Sequence, residues 1–243
     1  MKKYLVTLFL ICVAISAYAV DIPKQGFGLQ IGWAQPVLRI NDPNNYATKD
    51  SLSQNIHLHG FKVGLIYDAS YIAGFGSSIG INYTLGVNNS GWQKTYPNSD
   101  LFYHRTLIAY QEVEVFVDWQ YKFEIAKETY LMLYTGPTIQ CGISLNWRRD
   151  IREEDFKTGD ITTTYGERLD AYKSDHNDDA FNRFNVTWGV GAGFQYKRYF
   201  LRGGYDFGLI VPYKNSDFTL GHHTRGRLDQ WAIKIGMFLW YED

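Results

Sequence analysis

The chain has 243 residues, with 24 basic against 25 acidic side chains and a formal net charge of -1. That balance excludes an electrostatic nucleic-acid binder. Beyond the N-terminal segment no run of roughly 20 apolar residues occurs, so no membrane-crossing helix is expected. Aromatic residues make up 17% of the chain, with 19 Tyr and 23 Gly against 6 Pro, a composition that suits β structure.

The first residues read as an export signal. Lys2 and Lys3 are followed by an apolar run over 4–15, and Ala17-Tyr18-Ala19 forms a small-x-small cleavage site. The expected organisation is a signal peptide over 1–19 and a single barrel domain over 20–243. Cys12 is preceded by Ile11, where lipidation needs a small residue, so no lipid anchor is expected. Cleavage leaves Cys141 alone, which excludes an internal disulfide and a paired-cysteine zinc site.

After the signal the dominant period is two. Over 26–34, Phe27, Leu29, Ile31 and Trp33 share one face. Phe61, Val63, Leu65 and Tyr67 repeat the pattern, with Lys62 and Gly64 opposite. Ile79, Ile81, Tyr83 and Leu85 follow, opposite Ser78, Gly80, Asn82 and Thr84. The longest stripe runs from Val113 through Val115, Val117, Trp119 and Tyr121 to Phe123, opposite Glu112, Glu114, Asp118, Gln120 and Lys122. Further strands are expected over 131–145, 184–196, 201–211 and 231–241. In the last, Trp231, Ile233, Ile235, Met237, Leu239 and Tyr241 oppose Ala232, Lys234, Gly236, Phe238 and Trp240.

These stripes predict an all-β fold: an eight-stranded antiparallel up-and-down transmembrane barrel. Each stripe is about ten residues long, enough for a tilted strand to cross a bilayer. An even count lets the first and last strands pair, and closure leaves no unpaired backbone edge in lipid. The sidedness separates this from a soluble barrel. The small and charged face fits a narrow interior, and the apolar face, aromatic near its ends, fits lipid. Trp33, Trp147 and Trp231 are expected near one rim. Tyr67, Trp119, Tyr121, Tyr196 and Tyr241 are expected near the other. Connections alternate between short (68–73, 124–129, 197–199) and long (41–55, 87–104, 148–183, 212–227), which places the long ones outside the cell.

The segment Lys234-Ile235-Gly236-Met237-Phe238-Leu239-Trp240-Tyr241 resembles the C-terminal β-signal of outer-membrane barrels: a polar residue, a glycine, a hydrophobic residue and a terminal aromatic. Many such barrels stop at the aromatic, whereas here Glu242 and Asp243 follow. The resemblance implies that Lys234, Gly236, Leu239 and Tyr241 are read by the barrel-assembly machinery. The stretches 110–115 (YQEVEV) and 202–208 (RGGYDFG) are similar to those of PorT-like small outer-membrane barrels, within the broader group of eight-stranded barrels. That implies fold and compartment, the bacterial outer membrane, but no reaction.

The inward charges Lys62, Glu112, Glu114, Asp118, Arg202, Asp206 and Lys234 are expected to form an interior network. The loop 148–183 concentrates Asp150, Glu153, Glu154, Asp155, Asp175, Asp178 and Asp179. Asp175-x-Asn177-x-Asp179 starts like a calcium loop, but Ala180 and Val186 stand where Gly and Glu are required, so a solvated loop is expected. All six histidines (57, 59, 104, 176, 222 and 223) fall near outer strand ends or in loops, without a convincing zinc set. An outer-membrane lipid-modifying enzyme would need a serine beside a histidine. Ser51, Ser53, Ser77 and Ser78 do not meet His59 on the expected strands. No catalytic set, metal or cofactor is therefore expected. A structural or interaction role is expected, with the alternatives of a lipid-modifying enzyme or a narrow channel. The expected partners are outer-membrane lipid and lipopolysaccharide, the assembly machinery at the last strand and a protein at the extracellular loops, with no nucleic acid.

Overall fold

The computed structural model describes residues 25–41, 56–72, 74–94, 102–170, 172, 182–210 and 225–242. The expected signal peptide, the segment 173–181 with its calcium-like stretch, and Val211 lie outside the described residues. Among those described, eight long strands follow one another: β1 (Gln25–Asn41), β2 (His59–Ile72), β3 (Phe75–Asn89), β4 (Phe102–Ala126), β5 (Thr129–Glu154), β6 (Phe184–Tyr196), β7 (Tyr199–Gly208) and β8 (Arg225–Glu242). Each pairs antiparallel with the next, and β8 pairs back onto β1, so the sheet closes on itself. Four short strands extend it: Ile56–His57 beside β1, Gln93–Lys94 beside β4, and Ile161–Thr164 and Leu169–Asp170 beside β5.

The alternation of side chains separates wall from interior. Ile31, Phe61, Ile79, Ile139, Ile233 and Ile235 are 45–60% exposed on the outer wall, an arrangement water would not support and lipid would. Inward residues of the same strands are buried: Lys62, Ser78, Thr138 and Arg202 are 0–4% exposed. β4 and β5, with 25 and 26 residues, exceed the crossing length of about 10 more than twofold and carry a two-stranded projection beyond the belt.

Two bulges correct the expected faces. β5 carries an extra residue where Gln111 pairs with Ser144 but Glu112 pairs with Gly142. From there on Leu145 shares the face of Tyr110, and Trp147 that of Ile108, so Trp147 leaves the outer stripe that strict alternation assigned it. At the seam Phe27 pairs with Trp240 but Gly28 pairs with Phe238. Phe238 keeps the inward face expected of it, 2% exposed, but Trp240, expected beside it, is 49% exposed on the wall, and Tyr241, expected outward, turns back to pack on Phe238.

The interior is also less polar than the alternation suggests. Ile66, Phe116, Met132, Phe200 and Phe238 form a buried apolar cluster inside the barrel. Most of its members lie near the short turns at Gly74, Glu128 and Lys197, so the cluster plugs that end.

Candidate functional site in the barrel interior and at its outer rim

Charged groups pair in the lumen around this apolar cluster, Glu114 on the outer side of Phe116 along β4 and Asp118 on its turn side. Lys62 Nζ lies 2.7 Å from both oxygens of Glu114. Asn82 donates to Glu114 at 2.6 Å and Gln230 at 3.1 Å, and Gln30 donates to Asn82 at 2.6 Å. Arg202 donates to Asp118 at 2.6 Å and to Ser78 at 3.0 Å, and its guanidinium lies 4.0 Å from the ring centre of Tyr134. Such pairs are costly to bury and tolerable only when the opposite charges stay matched, as in Lys62–Glu114 and Arg202–Asp118, although the buried Arg202 Nε finds no hydrogen-bond partner among the described residues.

The expected network is thus brought together in part. Lys62 with Glu114 and Arg202 with Asp118 are direct pairs. Glu112 is fully buried and accepts a hydrogen bond from Tyr110. Lys234 stands 4.9 Å from the centre of the Phe116 ring, and neither it nor Asp206 has an ion-pair partner among the described residues. A third pair was not expected: Lys122 donates to Asp68 at 2.7 Å, and Gln120 donates to the same carboxylate at 2.6 Å. The period-two stripe ends at Tyr67, but β2 continues to Ile72 and carries Asp68 inward.

Of the residues expected for the C-terminal signal, Lys234 and Gly236 face the lumen and Leu239 faces outward at 49% exposure. Tyr241 is half-buried against the interior cluster. The glycine has a steric reason. A Cβ at Gly236 would lie 2.1 Å from the Phe200 ring and 2.5 Å from the Leu29 carbonyl oxygen.

Tyr172 enters the outer mouth from the loop after β5 and is 7% exposed. Its hydroxyl occupies the place a side chain at Gly142 would take, and Arg183 lies 5.1 Å from its ring centre. Burial pushes the Tyr172 hydroxyl well above its ordinary range.

Two arginine–aspartate–arginine clusters stand further out. In the projection, Asp150 is fully buried between Arg105 Nε at 2.8 Å and Arg148 Nε at 2.9 Å. Burial alone would raise its carboxyl, but the hydrogen bond from Arg105 and the charges of Arg148 and Arg105 hold it below the usual range. Arg105 stacks on Trp92 and Arg148 on Tyr165. A cavity of about 400 Å³ opens beside them, lined in part by Leu107, Asn146, Trp147 and Arg168. The second cluster joins β1, β7 and β8: Asp229, also fully buried, lies 2.7 Å from Arg39 Nε and 2.9 Å from Arg227 Nε.

The residues weighed for catalysis and metal binding are scattered. His59 stacks on Trp33 with ring centres 5.6 Å apart. Ser77 bonds to the Tyr71 hydroxyl, and Ser78 accepts from Arg202. Ser51, Ser53, His176, His222 and His223 lie outside the described residues. Among the described residues no group of three or more His, Cys, Asp and Glu side chains is placed to hold a metal ion.

A family model described as outer membrane protein beta-barrel domain matches residues 25–211. No curated protein matches the chain. Among solved structures the chain is similar to Ail, the attachment invasion locus protein of Yersinia pestis, at 12% identity and a TM-score of 0.37, over 89% of this chain and 99% of that one. Neisserial surface protein A gives 12% identity and a TM-score of 0.35, over 88% and 97%. The N-terminal barrel domain of Pseudomonas aeruginosa OprF gives 8% and 0.30, over 88% and 99%. The finer PorT-like grouping rests on the two sequence stretches alone. With the closed apolar-walled sheet and a family match over most of its length, the chain belongs to the outer membrane protein beta-barrel domain family and resides in the bacterial outer membrane.

Proposed function

We propose that this barrel is a non-enzymatic anchor that presents the β4–β5 projection to a protein partner outside the cell, alone or within a larger outer-membrane complex. The observation that carries the reading is the projection itself. It is an ordered sheet rather than a bare loop, extended by Ile161–Thr164 and Leu169–Asp170 and braced at its base by the buried Asp150 cluster. Its outer part exposes Phe156 at 85%, Tyr165 at 64% and Ile161 at 52%. Large apolar groups exposed to water on and beside this sheet favour a partner surface. The edge strand Ile161–Thr164 leaves backbone groups available for a further strand. The paired interior favours a filled scaffold over a conducting lumen. The terminal strand, which forms the closing seam, is the segment the assembly machinery would engage.

The test is a photo-crosslinking residue placed at Phe156 or Ile161 in cells, with Ile79 on the lipid-facing wall as control. A discrete protein adduct from the projection, absent from Ile79, is the expected result. Intact barrels without any protein adduct from either outer position would overturn the reading.

A further inference from the structure

Seen along the β1–β8 seam, the outer wall changes character over a few rungs. The register pairs Trp33 with Ile233, Gln35 with Trp231, Val37 with Asp229 and Arg39 with Arg227. Cross-strand partners share a face, and the register is unbroken here, so all of these lie on the column that begins with Ile31 and Ile235. The column is aliphatic, then carries Trp33 and Trp231, then turns directly into Asp229, Arg39 and Arg227. Tryptophan marks the membrane interface, so the arginines stand at the depth of the outer headgroups.

Asp229 has no exposed surface and organises what surrounds it. Tyr205 donates to it at 2.8 Å and the Gly208 amide at 3.0 Å, and Arg39 Nη2 donates to the Tyr205 hydroxyl at 3.1 Å. Both arginines approach Asp229 through Nε, while their side chains remain 42% and 47% exposed. One carboxylate therefore holds two guanidinium side chains in place and leaves the cluster one positive charge in excess on side chains that stay partly exposed. The Asp150 cluster differs: its arginines are stacked under Trp92 and Tyr165 and serve as a brace.

We infer that Arg39 and Arg227, positioned by Asp229, form a binding site for the phosphate of a phosphorylated glycolipid of the outer leaflet. A fixed guanidinium fork matches phosphate geometry and makes charge-assisted hydrogen bonds. Acyl chains of a lipid so held would run down the same column, over Trp33, Ile31 and Ile233. A free anion would gain nothing from that column, which is why the lipid is the favoured source. The inference rests on the outer-membrane placement of the barrel and not on the projection having a protein partner.

The experiment is native mass spectrometry of the folded, detergent-solubilised chain with bisphosphorylated lipid A, dephosphorylated lipid A and inorganic phosphate as probes. The intact chain should retain the bisphosphorylated lipid roughly tenfold more tightly than the dephosphorylated one. Combining Arg39→Gln, Asp229→Asn and Arg227→Gln should abolish that preference, whereas Arg105→Gln, Asp150→Asn and Arg148→Gln together should not. An unchanged preference in the first variant would overturn the site. Full displacement of the lipid by inorganic phosphate would overturn the lipid as its ligand. A measurement on the unmodified chain covers a variant that fails to fold. Bisphosphorylated lipid A should shield Arg39 and Arg227 from an arginine-specific reagent, and equal modification with either lipid would overturn the inference.

Discussion

At the residue scale, the Lys62–Glu114 pair makes the clearest statement about the interior. Lys62 is 1% and Glu114 2% exposed, and Glu114 also accepts from Asn82 and Gln230. Glu114→Leu removes one charge and leaves the Lys62 ammonium buried without its partner, a loss of about 3–5 kcal/mol. Adding Lys62→Met removes the stranded charge, so the double variant should recover most of that loss. The unfolding temperature on heated and unheated denaturing gels reads both effects. A double variant no more stable than Glu114→Leu would show that the ammonium is not confined by the barrel. The alternation of 112–122 made Glu114 and Asp118 legible as inward groups. It did not supply their partners, because a carboxylate on β4 meets a cation from β2 or β7, far away in sequence.

At the element scale, β8 carries the seam. Gly236 sits where a Cβ would strike both the Phe200 ring and the Leu29 carbonyl oxygen. A ring can turn aside, but the β1 backbone can do so only by giving up a ladder hydrogen bond. Gly236→Val should therefore cost about 3 kcal/mol or more and should leave a larger share of the exported chain unfolded and protease-sensitive. Wild-type yield of heat-modifiable barrel from that variant would mean that the glycine is not needed for packing. The same strand shows where period-two reading stops. A single bulged residue moves Trp240 to the wall and Tyr241 toward the interior, and no local propensity announces it.

At the scale of the molecule, closure is the defining property, and it rests on the pairing of β1 with β8 across the whole chain. Ile31 and Ile235 are direct partners on the outer wall, so cysteines there stand within disulfide range. In a background with Cys141→Ser, Ile31→Cys with Ile235→Cys should cross-link under oxidation and alter gel mobility before but not after reduction. Failure to cross-link in barrels that are otherwise folded would mean that the seam is open or differently registered.

Fold class and sidedness follow from the sequence by itself, since a strand's two faces are written in alternate residues and each face meets one solvent. The tertiary structure alone decided three things: which charge meets which, how the apolar plug of Ile66, Phe116, Met132, Phe200 and Phe238 assembles, and that Asp229 gathers Arg39 and Arg227 above the tryptophans. Each depends on register between strands distant in the chain, and register is set by bulges and closure that no single strand specifies.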